Sequence, residues 1–413
     1  MVLGAGVVGL TSAWELAESG WRVRVLDRQG VAQGTSLRNG GQLSYRYVAP
    51  LADAGVPLKA LRWLLDPDGP LRWKPQADAQ HWRWLGRFIA LCNGRDNRRT
   101  AERLARLGAY SRQCLHELMQ RHALDGFAWE QAGKLVLHRS ADALRRSAVG
   151  LPAAGMAAPG QQEVWNAAQC LEREPALQAL APQIAGGIYS HDEAVADCHA
   201  FCVSLMARLE QHPNFGGLVR DRVLRLQPHG RTLQAVGEQG LHGADAWVLA
   251  AGIASRTLAE PLGLRLPLHP LKGYSLDAPV EPGHVPPKAS ITDFERKVLY
   301  ARVGGRLRVA AMVDLVGEDD TIDRRRLDSL LRTAQRDMPL SGDYERALPW
   351  AGLRPATPDG APLVGASRVP GLWLNLGHGA LGFTFACATA RLLAARMAGQ
   401  AVPAELAGAD FSP

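Results

Sequence analysis

The chain has 413 residues, 47% of them hydrophobic, enough to bury a large core and ordinarily to form two domains. Its net charge is +7 and its pI about 9.3, but the basic residues gather into no nucleic-acid-binding fold, so no nucleic-acid partner is expected. Six cysteines without CxxC spacing, no apolar run of the ~18 residues a spanning helix needs, and no signal peptide before the first strand point away from disulfide frameworks, metal sites and membrane spans.

The chain opens on Met1-Val2-Leu3-Gly4-Ala5-Gly6-Val7-Val8-Gly9, an apolar run into a GxGxxG turn, followed by a helical segment from Leu10 to Ser19. A second apolar run, Trp21 to Leu26, ends at Asp27 with Arg28 beside it. This order begins a dinucleotide-binding βαβ unit. Gly4 permits the tight turn, Gly6 lets the backbone approach a pyrophosphate, and Gly9 lets helix and strand pack closely. The helix N-terminus offers unpaired N–H groups to phosphate, and Asp27 can accept hydrogen bonds from an adenosine ribose. The motif alone does not choose between FAD and NAD.

Next comes a loop crowded with hydroxyls, amides and glycines, Gly34 to Ser44. In it Thr35, Ser36, Asn39, Gly40, Gly41 and Gln42 can wrap a polar cofactor. Residues 51–95 form a Trp-rich connection in which Arg62, Trp63, Arg72, Trp73, Trp82, Arg83, Trp84 and Arg87 interleave. Such a pattern suits a lipid interface, a packed helix pair or a subunit contact. Asn97 to His122 has the spacing of a long helix, Trp129 to His138 reads as a strand, and 150–160 as a loop. Asp192 and Asp197 flank a turn before a helix from Cys198 to Glu210 and a strand from Val219 to Leu226 that brings Val223 toward the cofactor. Ala246 to Gly252 is a buried-strand pattern ending in the small residues Ala251 and Gly252. Leu268 to Val313 alternates in strand-length pieces, with a hairpin across Gly304-Gly305, and a helix follows from Ile322 to Met338. Finally Trp373 to Leu376 leads into Gly377-His378-Gly379-Ala380-Leu381-Gly382 and a helix to about Met397. That second strand, glycine loop and helix can present another helix N-terminus to a reduced flavin.

Taken together these segments resemble the D-amino-acid oxidase and glycine oxidase superfamily, and most closely the bacterial FAD-dependent D-amino-acid dehydrogenases. The resemblance also rests on Tyr47-Val48-Ala49-Pro50, Pro270-Leu271-Lys272-Gly273-Tyr274-Ser275, Gly352-Leu353-Arg354-Pro355 and Thr357-Pro358-Asp359-Gly360. It implies an α/β fold with a Rossmann-like FAD-binding domain (1–50, 186–264 and 345–413) and an antiparallel-sheet substrate domain (51–185 and 265–344). It further implies noncovalent FAD and oxidative deamination of a D-amino acid to a 2-oxo acid and ammonia, with a hydride passing from Cα to flavin N5. Electrons would go on to a quinone or other respiratory acceptor, which suits a cytoplasmic location with peripheral contact to the inner face of the membrane. Lys272-Gly273-Tyr274 favours the dehydrogenase branch over glycine oxidases. An oxygen-using amine, glycine or sarcosine-type oxidase and a D-proline or D-hydroxyproline dehydrogenase are alternatives. A tRNA-modifying flavoprotein fits less well, lacking a concentrated basic face, as does a non-catalytic flavin module, which needs no carboxylate-binding arginine. The first strand has only three residues before Gly4, fewer than such relatives carry, and the expectation is a natural start upstream of Met1.

The chemistry needs a carboxylate-binding group, and the matching arginine of the superfamily points to Arg354, whose guanidinium can hold a carboxylate through two parallel hydrogen bonds. Tyr274 and Tyr300 are candidates for a hydroxyl partner to the substrate. No dedicated base is required if positive charge in the site lowers the amine pKa, and His378 is expected to position the cofactor rather than carry a proton.

Overall fold

Although only Val2–Leu3 form the opening strand, they lie at the centre of a six-stranded sheet. Its order is Leu363–Ala366, Leu372–Leu376, Trp247–Leu249, Val2–Leu3, Val23–Asp27, Phe215–Arg220, with every neighbouring pair parallel except the first. The computed structural model describes residues 1–153, 161–230 and 232–413. A parallel sheet must be covered on its faces. The helix Val7–Glu18 covers it together with the helix Gly382–Met397, and the Thr11 hydroxyl donates across the pair to the Ala386 carbonyl at 3.2 Å. Leu10, Ala13 and Leu16 share one core with Ala388 and Leu392.

The second layer is a nine-stranded, mostly antiparallel sheet. Its path runs Leu348–Ala356, His269–Pro279, Arg306–Leu315, Val298–Val303, Ser290–Asp293, Lys134–His138, Gly186–Ser190, Gln162–Asn166, and Leu71–Trp73 pairs with Arg306–Leu315 outside that path. Because strand side chains alternate, one face carries Tyr274, Leu276 and Ala278 into a core shared with Leu330 and Ala334 of the helix Arg324–Asp337. The opposite face looks toward the glycine loops. The hairpin across Gly304-Gly305 is present, while the strand expected from Trp129 starts only at Lys134, where left-handed backbone at Ala128 and Gly133 ends.

Sheet membership corrects the expected domain boundaries. Gly186–Ser190 and Leu348–Ala356, placed in the cofactor domain by boundaries at 186 and 345, both belong to the nine-stranded sheet. Conversely the helix Gly94–His122, inside the segment given to the substrate domain, sends Leu104, Leu107 and Leu115 into the cofactor-side core. Asn93 caps its start by accepting from Arg95 N and Asp96 N. Of the loop expected over 150–160, residues 154–160 lie outside the described residues, and 150–153 complete the helix Ala141–Ala153.

Candidate active site

Three glycines do three different jobs at the end of the first strand. Gly4 has φ +110°, and a Cβ there would lie 2.5 Å from the Ala250 carbonyl oxygen. A Cβ at Gly9 would overlap the Gly4 carbonyl, so this residue is required by packing. Gly6 is in ordinary extended backbone and faces only the Ser36 hydroxyl, 3.3 Å from where a Cβ would sit, leaving space before the helix. In that first turn there is no acidic residue, and Val7 N donates to the Ser36 hydroxyl at 3.0 Å. Such an end favours bound phosphate.

Asp27 uses one carboxylate oxygen to accept from Ala5 N at 2.9 Å and the other to accept from Gln29 N at 2.8 Å and Gly30 N at 3.0 Å. It therefore orders the glycine turn, and a carboxylate with about four acceptor sites keeps capacity for a ribose. Arg28 is exposed beside it. Asp221 N donates to the Asp27 carbonyl at 3.0 Å, which brings the half-buried Val223 to the same end of the sheet.

The 34–44 loop is strapped to the substrate sheet. Thr35 donates to the Leu353 carbonyl at 2.9 Å, and Asn39 Oδ1 accepts from Gly41 N at 2.9 Å. A Cβ at Gly40 would lie 3.2 Å from Leu299, and at Gly41, with φ +66°, 2.8 Å from Val303. Beneath the loop the buried Arg308 binds Asp277 through two hydrogen bonds of 2.6 and 2.7 Å and donates to the Asn39 carbonyl at 3.0 Å. Ala251 is half-buried, and Gly252, at φ +59°, faces open space.

At the other glycine loop, Gly377 and Gly379 take φ of +85° and +55°, and Ala380, Leu381 and Gly382 lead into a helix with no acidic residue in its first turn and no side-chain cap. His378 turns its ring to the Thr389 hydroxyl at 3.0 Å, and burial holds its pKa down at about 3. Two helix starts without acids, side by side over glycine turns, fit a dinucleotide bearing two phosphates and a ring that gains negative charge.

Arg354 projects over Gly273, where any Cβ would overlap its guanidinium, and so faces the loops. Nη1 donates to the Met312 carbonyl at 2.9 Å. Among the described residues no carboxylate is within salt-bridge distance of it, and burial holds its pKa down at about 10. The nearby Asp314 is already paired with Arg326 at 2.7 Å. An arginine with free donors beside a cofactor cradle is equipped to take a carboxylate.

The two tyrosines are not brought to it. Tyr274 and Tyr300 lie on the far face of the nine-stranded sheet, their hydroxyls 3.3 Å from Asp314 and from Asp337 respectively. The alternation that turns Gly273 and Leu299 toward the loops turns both tyrosines toward the helix Arg324–Asp337. Neither is therefore a substrate partner. Tyr274→Phe and Tyr300→Phe should keep kcat/KM within about threefold while each costs about 1 kcal/mol of stability, read by denaturant unfolding. A hundredfold loss of activity with stability unchanged would restore the catalytic role.

Arg308 and Lys134 were not among the expected site residues. Lys134 starts the buried strand Lys134–His138 and donates to Gln42 Oε1 at 2.6 Å and to the Ser44 hydroxyl at 3.1 Å. The available signal was a lysine opening an otherwise apolar run, which also describes a strand end at the surface.

Comparison with known proteins accords with this geometry. The family described as FAD dependent oxidoreductase matches residues 1–396. The chain belongs to this FAD-dependent oxidoreductase family. Within it the chain is 51% identical to D-amino acid dehydrogenase 2 of Pseudomonas aeruginosa, over 95% of the chain and 93% of that protein. It is 44% identical to D-amino acid dehydrogenase 2 of Ralstonia nicotianae, over 95% of each. Among solved structures it is similar in fold to glycine oxidase from Geobacillus kaustophilus, with a TM-score of 0.72, 20% identity and 100% and 97% of the two chains covered. It is also similar in fold to L-proline dehydrogenase from P. horikoshii, with a TM-score of 0.74, 16% identity and 98% and 94% covered. FAD is thus the cofactor of this oxidoreductase family, and the Rossmann-like sheet is the half that family members use to bind it.

Proposed function

We propose that the chain oxidises D-amino acids to 2-oxo acids and ammonia with FAD, and passes the electrons to a quinone. The observation that carries this reading is Arg354, a guanidinium that among the described residues has no carboxylate partner, beside the glycine loops. The names of the relatives supply the substrate class. When bound, FAD supplies the two-electron acceptor for the substrate Cα–H. The glycine turn 4–9 with Ser36 would hold the pyrophosphate, Asp27 the ribose, and residues 39–42 and 377–382 the ring. Arg354 would fix the substrate carboxylate and orient Cα, and its positive charge favours the neutral amine that oxidation requires. The 2-imino acid then takes up water and releases ammonia.

Anaerobic mixing with D- and L-amino acids, glycine and sarcosine tests the reading. Small D-amino acids should bleach the bound flavin and their L-forms should leave it oxidised. Equal bleaching by both enantiomers would remove the stereochemical claim. Turnover should be fast with quinone analogues and slow with oxygen.

A quinone acceptor calls for a surface that meets lipid, and the packing moves that surface away from Trp84. Trp84 is 4% exposed, donates to the Ala356 carbonyl at 2.9 Å, and packs with Leu271 and Leu315. The helix Val56–Leu65 is the better candidate, since it has no buried residue and exposes Leu58, Leu61 and Leu65 by 75, 62 and 85% next to Lys59 and Arg62. Among the described residues no helix is long and apolar enough to cross a membrane. Serine at all three leucines should weaken salt-sensitive binding to anionic vesicles at least tenfold without lowering stability. Trp84→Ala should instead destabilise by about 3–5 kcal/mol and leave vesicle binding alone. Vesicle binding indifferent to the leucines would end the lipid proposal.

A further inference from the structure

Lys134 is a charged side chain with no obvious use in the chemistry above. It is 1% exposed, and among the described residues no carboxylate lies within salt-bridge distance of it. Its ammonium is held by Gln42 Oε1 and the Ser44 hydroxyl, with the Tyr47 ring centroid 5.0 Å away. Gln42 closes the loop that follows Gly40 and Gly41, and its amide nitrogen donates to Ser290. Ser44 N donates at 3.2 Å to the hydroxyl of Thr384, in the first turn of the helix Gly382–Met397. A single ammonium thus joins the two cofactor-facing elements from the substrate side. Glu193 is the nearest compensating charge, buried as well, and its carboxylate accepts from Tyr45 N at 2.8 Å and Arg46 N at 2.6 Å rather than from the lysine. Burial drives the lysine pKa down and the glutamate pKa up, and the attraction between the two opposite charges offsets only part of each shift. Burying an ammonium without a contacting anion is costly, and a methionine of similar length would avoid that cost.

We propose that Lys134 is a positioning residue for the flavin: it fixes Gln42 and Ser44 against the ring, and its buried charge, which among the described residues no contacting anion neutralises, favours the reduced, more negative state. The inference rests on the placement of the ring between residues 39–44 and the start of the C-terminal helix. Since the low-dielectric interior screens little, the charge acts at a distance without touching the cofactor.

The test uses the FAD-loaded protein and reads the flavin, not turnover. In Lys134→Met the flavin midpoint potential should fall by about 30 mV or more, a tenfold shift of a two-electron equilibrium, and sulfite should bind the flavin at least tenfold more weakly. Lys134→Arg should restore both. Glu193→Gln removes the opposing charge and should move both readouts the other way, whereas a merely structural role for this cluster would give no opposed signs. Potentials and sulfite affinities unchanged in Lys134→Met and Glu193→Gln overturn the proposal. If Lys134→Met fails to retain FAD, the sign of the Glu193→Gln shift decides. Gln42→Leu reads the ring placement separately. If its visible flavin spectrum is unaltered, the placement fails; if the spectrum shifts while the potentials of the charge variants do not, only the role of Lys134 fails.

Discussion

Arg354→Ala is expected to lower kcat/KM for D-amino acids by roughly 10² to 10⁴, about 3–5 kcal/mol, because it truncates one partner of a charge pair formed in a desolvated site. FAD content should survive, since among the described residues the side chain makes one hydrogen bond, to the Met312 carbonyl, and none to a cofactor loop. Stability should change little or rise, because the unliganded protein loses a half-buried cation that among the described residues has no carboxylate partner. Arg354→Lys should recover only a small part of the activity, as one ammonium cannot reproduce two parallel N–H donors. Steady-state kinetics with matched flavin absorbance checks this. Activity within threefold of the parent would put the substrate carboxylate elsewhere.

The second large effect separates two glycines of one motif. Gly6→Val should weaken FAD binding more than a hundredfold while the apoprotein keeps its melting temperature within a few degrees. The added side chain enters the open space before the helix, where only the Ser36 hydroxyl lies within 4 Å, so it excludes phosphate without disturbing the fold. Gly9→Ala should lose both FAD and the fold, because its Cβ would overlap the Gly4 carbonyl on which the turn is built. Overpacking costs about 1–3 kcal/mol and occasionally more, and here the overlap is with backbone that cannot turn aside. Equilibrium dialysis and thermal unfolding of the apoproteins distinguish the pair. Equal losses of stability in both would mean that Gly6, too, is there for packing.

The glycine turn could be read in the sequence because its requirements are local: a left-handed φ at Gly4 and helix-to-strand contact at Gly9 leave marks on adjacent residues. Arg354 was singled out through its neighbours in the chain, and the structure adds that among the described residues no carboxylate lies within salt-bridge distance of it. Tyr274 was misplaced for a different reason. Which face a strand residue occupies depends on pairing register, and the register of His269–Pro279 against Arg306–Leu315 shifts between Lys272 and Tyr274. No local pattern announces that shift. The basic neighbours of Trp84 left a lipid interface and a packed helix pair both open, and its indole N–H is used by a carbonyl 272 residues away. Lys134 was silent likewise, its burial being created by Gln42 and Ser44 from another part of the chain.

The central two-residue strand also sets a schedule for biosynthesis. Val2 pairs with Val25 on one side and with Val248 on the other, so the first contact is available early and the second only after more than half the chain has been made. At synthesis rates of about 5–20 residues per second that delay is on the order of 20 s. Over that interval the apolar opening segment has one neighbouring strand and an unsatisfied edge, the kind of exposed template that invites wrong partners. The glycine turn also stays incomplete, because the Ala250 carbonyl against which Gly4 packs has not yet been synthesised. Cofactor capture is therefore a late event in the life of the nascent chain, and once it occurs it draws the folding equilibrium toward the closed sheet by mass action.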